Sequence, residues 1–315
     1  MRIHVKHAIK QAFVQTGIYR LNRIANRFYI LTFHMVAADS NGFFPITSIR
    51  VFEKQIMHLV ENYNVVPLDE IVDRLKNGAS VRGRVAITFD DGFRDNYENA
   101  YPILRKYNVP ATIFLATQFI ETGAAPWFIK LRYIFMKTDK IDYRTSLNGK
   151  SISFQMRTRE ERYVASEAIM IYLKNCLDAE RVSVMDRLCE ELSVRDFRGL
   201  DNLMLNWSQV REMSEQGISF GAHTVSHPVL ATVPLDEAKR EISESKKKIE
   251  ERIGKPVSSF AYPFGKKADY KPEIFPILEK IQFKCAVTTE AGINNYGTSL
   301  FELNRFGPWE LRAIG

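Results

Sequence analysis

Residues 85–92, Val85-Ala86-Ile87-Thr88-Phe89-Asp90-Asp91-Gly92, carry a near-continuous apolar segment straight into two adjacent carboxylates and a glycine. The apolar part reads as a buried strand. Two like charges side by side at its end repel each other unless a cation or a shared proton compensates them. A solvated strand-to-loop turn is the plain alternative, since Asp and Gly are ordinary turn residues. Whether the rest of the chain holds a cation ligand set decides between the two.

Working outward, strand-like and helix-like segments alternate through most of the chain, which predicts an α/β fold with parallel strands. The expected strands are Tyr29–Met35, Val65–Pro67, Val85–Phe89, Ala111–Ala116, Ile218–Ala222, Ser258–Tyr262, Lys284–Val287 and Phe301–Arg305, a set that suits a barrel. Helices are expected at Ile49–Asn62, Leu68–Asn77, Asn96–Tyr107, Trp207–Gln216 and Leu235–Ile253, the last set between Pro234 and Gly254 as helix ends prefer. Between residues 117 and 205 the pattern changes to a mostly helical insertion. It carries a helix near Trp127–Met136, a hairpin turning at Asn148-Gly149, and helices across Arg159–Leu177 and Ala179–Leu192. Four regions follow: a basic amphipathic segment over 1–28, a first barrel part over 29–116, the insertion over 117–205, and a second barrel part over 206–315.

With 315 residues and 45% apolar content, the chain can bury a sizeable core. Its longest early apolar run, Phe28 to Ala38, is about half a membrane span and contains His34. Lys6, His7 and Lys10 interrupt every candidate leader, and three cysteines match no zinc spacing, so a cytoplasmic, reducing location is expected. Arg2, Lys6, Lys10, Arg20, Arg23 and Arg27 all precede the first acid, Asp39, and so account for six of the net +7 charges. Interleaved Ile9, Phe13, Ile18, Leu21 and Ile24 give residues 1–27 a partly helical apolar face. This suits either peripheral contact with the inner membrane face or a docked surface helix. A nucleic-acid partner is not expected, because the basic excess stops there and no recognition motif accompanies it.

The second informative stretch is Gly221-Ala222-His223-Thr224-Val225-Ser226-His227-Pro228. Its histidines, four apart, follow a strand-like run at the end where α/β folds place their sites. Alone, they read equally well as a core or capping pair. With Asp91 they form a two-imidazole, one-carboxylate set that leaves positions open for water and substrate. Neighbouring residues at a strand end point to different sides, so Asp90 is left as general base toward a water that the ion acidifies. A third stretch, Ser259-Phe260-Ala261-Tyr262-Pro263-Phe264-Gly265, ends another strand in a turn that can offer a backbone N–H to an oxyanion. Gly217-Ile218-Ser219-Phe220-Gly221 matches the G-x-S-x-G pattern, but a nucleophile elbow runs from strand to helix and here the helix comes first.

In this order, TFDDG, HTVSH and FAYPFG resemble the successive motifs of the polysaccharide deacetylase family, the NodB-homology group of carbohydrate esterases. The resemblance spans roughly Tyr29 to Phe306. It implies a distorted (β/α) barrel, a divalent metal that is usually Zn2+, and hydrolysis of an acetamide on a sugar. By matching position, Asp90 is the base, Asp91, His223 and His227 hold the metal, and the Phe264 N–H binds the oxyanion. Two departures stand out. Ala261 occupies the place where many members have an arginine beside the catalytic aspartate, and no histidine follows His227 to supply the acid of a late Leu-x-x-His motif. The nearest counterpart is Leu303-Asn304-Arg305-Phe306.

His34, near the end of the first strand, is the replacement acid if it is not simply a core histidine, and Arg305 is the replacement for the missing arginine. The expected activity is removal of an N-acetyl or similar acyl group from a polysaccharide or lipid-linked sugar. The alternatives are a decayed glycan-binding protein and a deacylase of a non-sugar amide or an O-acetyl ester.

Overall fold

A computed structural model describes residues 26–38, 44–147 and 149–308. The basic segment expected over 1–28 lies almost wholly outside the described residues, as does Asn148 of the hairpin turn.

In chain order the elements are β1 (Phe28–Phe33), β2 (Met35–Ala37), β3 (Ile46–Ser48), α1 (Ile49–Asn62), β4 (Asn64–Val65), α2 (Leu68–Lys76) and β5 (Arg84–Phe89). A wide helical turn over Asn96–Ala100 then leads into α3 (Tyr101–Lys106), β6 (Thr112–Leu115) and α4 (Thr117–Thr122). The insertion supplies α5 (Trp127–Lys137), the hairpin β7 (Asp142–Leu147) and β8 (Lys150–Gln155), α6 (Arg159–Leu173) and α7 (Asp178–Glu191). The remainder is α8 (Trp207–Glu215), β9 (Ser219–Ala222), α9 (Leu235–Ile253), β10 (Ser259–Ala261), α10 (Phe275–Lys280) and β11 (Cys285–Val287).

The main sheet runs β1-β5-β6-β9-β10-β11, with β4 also on β5, and every pairing in it is parallel. Strands covered by helices on one side and by the barrel interior on the other must be apolar on both faces, which is why β5 reads as an unbroken run. The helices end where their chemistry tells them to. Ser48 caps α1 through its side chain, capping boxes open α6 (Thr158 with Glu161) and α8 (Asn206 with Gln209), and Gly254 closes α9 in the left-handed conformation.

Two expectations need correction. The first strand does not run through to Met35: it stops at Phe33, and Met35–Ala37 pairs instead with β3 in a separate two-stranded sheet, so His34 sits at the break. The eighth strand, Phe301–Arg305, is not a ladder. Isolated parallel bridges join Leu303 to Val287 and Phe306 to Leu31, with Phe306 N–H donating to the Ile30 carbonyl and Thr32 N–H to the Phe306 carbonyl. This segment closes the seam between the two edge strands, and the barrel is distorted there because the bridges are too sparse to form a strand.

Alternate residues of adjacent strands, Phe28, Ile30, Ala86, Phe114, Ala261 and Val287, meet in one apolar cluster with Leu303. Ala86, Thr88 and Asp90 share a face by the period of two, so Asp90 stands at the top of that face. Gly221 belongs there too: a Cβ on it would lie 2.3 Å from the Phe114 ring, so only glycine lets β9 and β6 approach. That requirement, with α8 preceding and β9 following, accounts for the G-x-S-x-G match as packing. Insertion residues Phe128, Leu131, Phe135, Ile169 and Leu173 share a continuous core with Phe33, Phe89 and Leu115 of the barrel. Among the described residues no helix is long and apolar enough to cross a membrane.

Candidate active site

The loops after β5, β9 and β10 meet at one end of the barrel. Four of their non-glycine turn residues are forced into left-handed backbone, Asp91 (φ 74°), Thr224 (φ 68°), His227 (φ 59°) and Phe264 (φ 60°). Such a conformation costs of order 1–3 kcal/mol per residue and survives only where the surroundings over-determine it, a pattern that gathers at functional sites. Gly92, at φ 81°, continues the first turn. Its missing Cβ leaves room for Leu115 and Ile120, which would otherwise be 2.7 and 2.9 Å away.

Asp91, His223 and His227 are all buried, and they form a group whose ligand atoms lie within 4.8 Å of one another. His223 Nε2 and His227 Nε2 stand 3.5 and 3.4 Å from Asp91 Oδ1. Ligand atoms ~2.1 Å from one tetrahedral ion are ~3.4 Å apart, so this spacing suits a shared ion. The donor set fits as well. His223 Nδ1 donates to the Ala261 carbonyl at 2.7 Å, which fixes the tautomer and leaves the Nε2 lone pair toward Asp91. Among the described residues His227 Nδ1 has no hydrogen-bond partner, and its ring lies between those of Phe128 and Phe264 at 4.7 and 4.8 Å. Burial, with the neighbouring His223, pushes the His227 imidazole down to about 3, keeping it neutral as a ligand must be. Burial alone would raise the Asp91 carboxyl, but the neighbouring His223 and His227 outweigh burial and lower it.

Asp90 faces the other way. Arg305 Nη1 and Nη2 grip its Oδ1 and Oδ2 at 2.8 and 2.6 Å, a bidentate pair, and Asp90 N–H donates to the Phe33 carbonyl. Arg305 is 1% exposed and is itself held by the Thr288 carbonyl (2.6 Å) and Thr88 Oγ1 (3.1 Å). Burial works to raise the Asp90 carboxyl, yet the charge and hydrogen bonds of Arg305 overcome it and hold the group well below the usual carboxylate range. The place left by Ala261 is thus taken by a guanidinium that arrives from the barrel seam.

His34 stands beside this pair, with Nε2 3.9 Å from Asp90 Oδ2 and the side chain 23% exposed. That distance is beyond a hydrogen bond but leaves the ring open to a ligand. Among the described residues the Phe264 N–H makes no hydrogen bond, while the Phe264 carbonyl accepts from Thr289 Oγ1 at 2.6 Å. All seven residues singled out by sequence therefore converge on one barrel mouth.

Residues that were not foreseen come from the insertion. Trp127 and Phe128 pack on Phe264, and Lys174 lies 4.5 Å over the Phe264 ring while pairing with buried Asp269 at 2.6 Å. The Trp127-Phe128 pair was visible in the sequence, but at helical spacing it reads as core.

A family profile described as Polysaccharide deacetylase matches residues 77–286. YxkH of Bacillus subtilis (strain 168), whose name places it among the polysaccharide deacetylases, is 24% identical over 221 residues, covering 70% of this chain and 50% of its own. The poly-beta-1,6-N-acetyl-D-glucosamine N-deacetylase of Staphylococcus aureus (strain N315) is 38% identical over 97 residues, 30% of this chain and 32% of its own. The chain thus spans half or less of the length of these relatives. In structure it is similar to the Streptococcus pyogenes deacetylase PplD in complex with acetate (TM-score 0.61, 22% identity, covering 92% of this chain and 98% of that one). It is also similar to IcaB from Ammonifex degensii (TM-score 0.60, 19% identity, 92% and 96%). At these identities the structural likeness is one of fold.

Proposed function

This chain belongs to the polysaccharide deacetylase family, and from that premise we propose that it is a metal-dependent hydrolase that removes an N-acetyl group from a glycan. The observation that carries the proposal is the pairing, at one barrel mouth, of the Asp91, His223 and His227 cluster with an Asp90 held ionised by Arg305. A decayed binding protein has no need of either, and a carboxylate buried without its partner would be costly.

Asp91, His223 and His227 would hold a divalent ion, for which Zn2+ suits the N,N,O set. When bound, the ion supplies Lewis acidity, lowering the pKa of water toward neutrality and polarising the acyl oxygen. Asp90 takes the proton from the attacking water, and because Arg305 keeps it ionised it is ready as an acceptor throughout the neutral range. As the water oxygen bonds to the acyl carbon, charge gathers on the former carbonyl oxygen, and the unpaired Phe264 N–H is placed to donate to it. The C–N bond then breaks, and His34 gives its proton to the amine, leaving acetate and a free amino sugar.

The N-acetylglucosamine polymer named for the staphylococcal relative supports an N-acetylhexosamine chain as substrate. A lipid-linked form is supported by the six basic residues before Asp39, which suit contact with an anionic membrane face from the cytoplasm. The test is acetate release from short N-acetylglucosamine oligomers, β-1,6-linked and otherwise, and from lipid-linked amino sugars, by zinc-loaded protein. Release by wild type and its loss in Asp90→Asn support the reading. One bound metal equivalent and glycan binding without release from any of these substrates would overturn it. Loss of vesicle sedimentation on deleting residues 1–27 is expected if the basic segment meets the membrane, and unchanged sedimentation refutes that contact.

A further inference from the structure

The loop between the two histidine ligands raises a physical question, because it is half-buried at Val225 and Ser226 and left-handed at Thr224 and His227, and it belongs to no helix or strand. Its polar groups can be followed one at a time. His223 N–H donates to the Leu115 carbonyl, the Thr224 and Val225 carbonyls accept from Thr117 and Gln118 N–H at the start of α4, and His227 N–H donates to Thr224 Oγ1 at 3.0 Å. The Thr224 hydroxyl donates to the His223 carbonyl. Val225 N–H, Ser226 N–H and the Ser226 hydroxyl all go to one side chain. Glu241 of α9 accepts the first two at Oε2, at 2.8 and 2.9 Å, and the third at Oε1, at 2.9 Å.

Glu241 is 5% exposed. It lies on the buried face of α9 with Ala238, Ile242, Ser245 and Ile249, where an apolar residue would ordinarily stand. A carboxylate in that position is tolerated only with its hydrogen bonds made, and here three donors from the two residues between the ligands satisfy it.

We propose that Glu241 is the positioning residue of the metal centre, its carboxylate holding Val225 and Ser226 so that His223 and His227 present their Nε2 atoms to Asp91. This rests on the metal-binding reading of those three residues. Glu241 touches neither ion nor substrate, and its influence passes through the two N–H groups it anchors. Thr224 and His227 keep left-handed backbone because bonds hold the loop from both sides, the Glu241 carboxylate on one and α4 on the other. Without the carboxylate, the loop's relaxed state separates the two imidazoles, and the ion must reassemble the site as it binds.

The test measures zinc affinity by competition with a chelating dye, together with the visible spectrum of the cobalt-substituted protein and the melting temperature of the metal-free protein. The variants are wild type, Glu241→Gln, Ser226→Ala, His223→Ala and Ile242→Val. Glu241→Gln retains size but replaces one acceptor oxygen with a donor, and it should bind zinc ~10- to 100-fold more weakly, the scale of a lost partner behind a metal ligand. Its cobalt spectrum should change as well. Ser226→Ala, which removes one of the three bonds, should fall between Glu241→Gln and wild type.

Ile242→Val trims the same buried helix face, so it should lower the melting temperature and leave zinc affinity and the cobalt spectrum unchanged. Wild-type zinc affinity in a folded Glu241→Gln, or a loss in Ile242→Val that matches that of Glu241→Gln, overturns the proposal. A wild type that binds no zinc, or a His223→Ala that binds it normally, instead overturns the metal reading beneath it.

Discussion

Replacing Arg305 with methionine tests the charge arrangement on which the candidate chemistry depends. The guanidinium makes two bonds to Asp90, one to Thr88 Oγ1 and one to the Thr288 carbonyl, and both charged groups are almost fully buried. Methionine keeps most of the volume and removes the charge. What remains near the carboxylate is Thr32 Oγ1, at a long 3.5 Å, and the His34 ring, whose Nε2 is 3.9 Å away. Breaking a buried pair from one side typically costs about 3–5 kcal/mol. An independent limit agrees: the carboxyl can escape by taking a proton, and at pH 7 neutralising a group whose unfolded pKa is ~3.9 costs about 4 kcal/mol.

The pH dependence follows from the direction of the shift. In wild type the folded pKa of Asp90 is depressed, so its contribution is present above the unfolded pKa and is lost as pH falls below it. In Arg305→Met, burial, the largest influence on the carboxyl, loses its main opponent and raises the folded pKa, so stability is lost as pH rises toward that value. The gap between the two proteins should therefore be widest near pH 7.5 and narrow toward pH 4.5. Urea unfolding of the chelated proteins at both pH values, with Asp90→Asn and the double variant completing the cycle, measures this. The double variant should recover more than 2 kcal/mol relative to the sum of the singles. A folded Arg305→Met within ~1 kcal/mol of wild type at pH 7.5, a gap that does not narrow at pH 4.5, or additive single effects would refute the reasoning.

Asp90→Asn should lose at least ~10²-fold in kcat while keeping its metal, and metal loss by elemental analysis would show that the roles of the two aspartates had been exchanged. His34→Ala should lower kcat by ~10²-fold with metal content intact. Near-normal turnover in that variant would return the proton-donor role to water. Asp95, pushed up to about 7 chiefly by burial and left with one carboxylate oxygen unpaired, should give the opposite pH signature to Asp90. Its stabilising effect is present below the unfolded pKa and lost as pH rises through 7, so Asp95→Asn should be more stable than wild type at pH 8.5 by up to ~4 kcal/mol and equal to it near pH 4. Equal urea midpoints at both pH values would contradict this.

The residues of the candidate site were legible in the sequence because each lies within a few positions of the strand that delivers it. Asp90 and Asp91 follow a run apolar enough to be a buried parallel strand, and His223 and His227 follow another, so strand periodicity alone brings them to one end of an α/β fold. Helix ends were legible for a similar reason: Pro234 and Gly254 act on the backbone beside them.

What the sequence left open depended on contacts between distant segments. Arg305 was named as the replacement arginine, but its two-pronged grip on Asp90, 215 residues away, depends on the bridges at Leu303 and Phe306 that close the barrel seam where a strand had been expected. Glu241 reads as one more charge among many in Leu235–Ile253 until the packing of α9 turns it inward beneath the histidine loop. Trp127, Phe128 and Lys174 reach the site only through the docking of the insertion. Periodicity and capping are local forces recorded residue by residue. The pairing of a buried charge depends on which surfaces meet once the whole barrel has closed, and only the tertiary structure decided that.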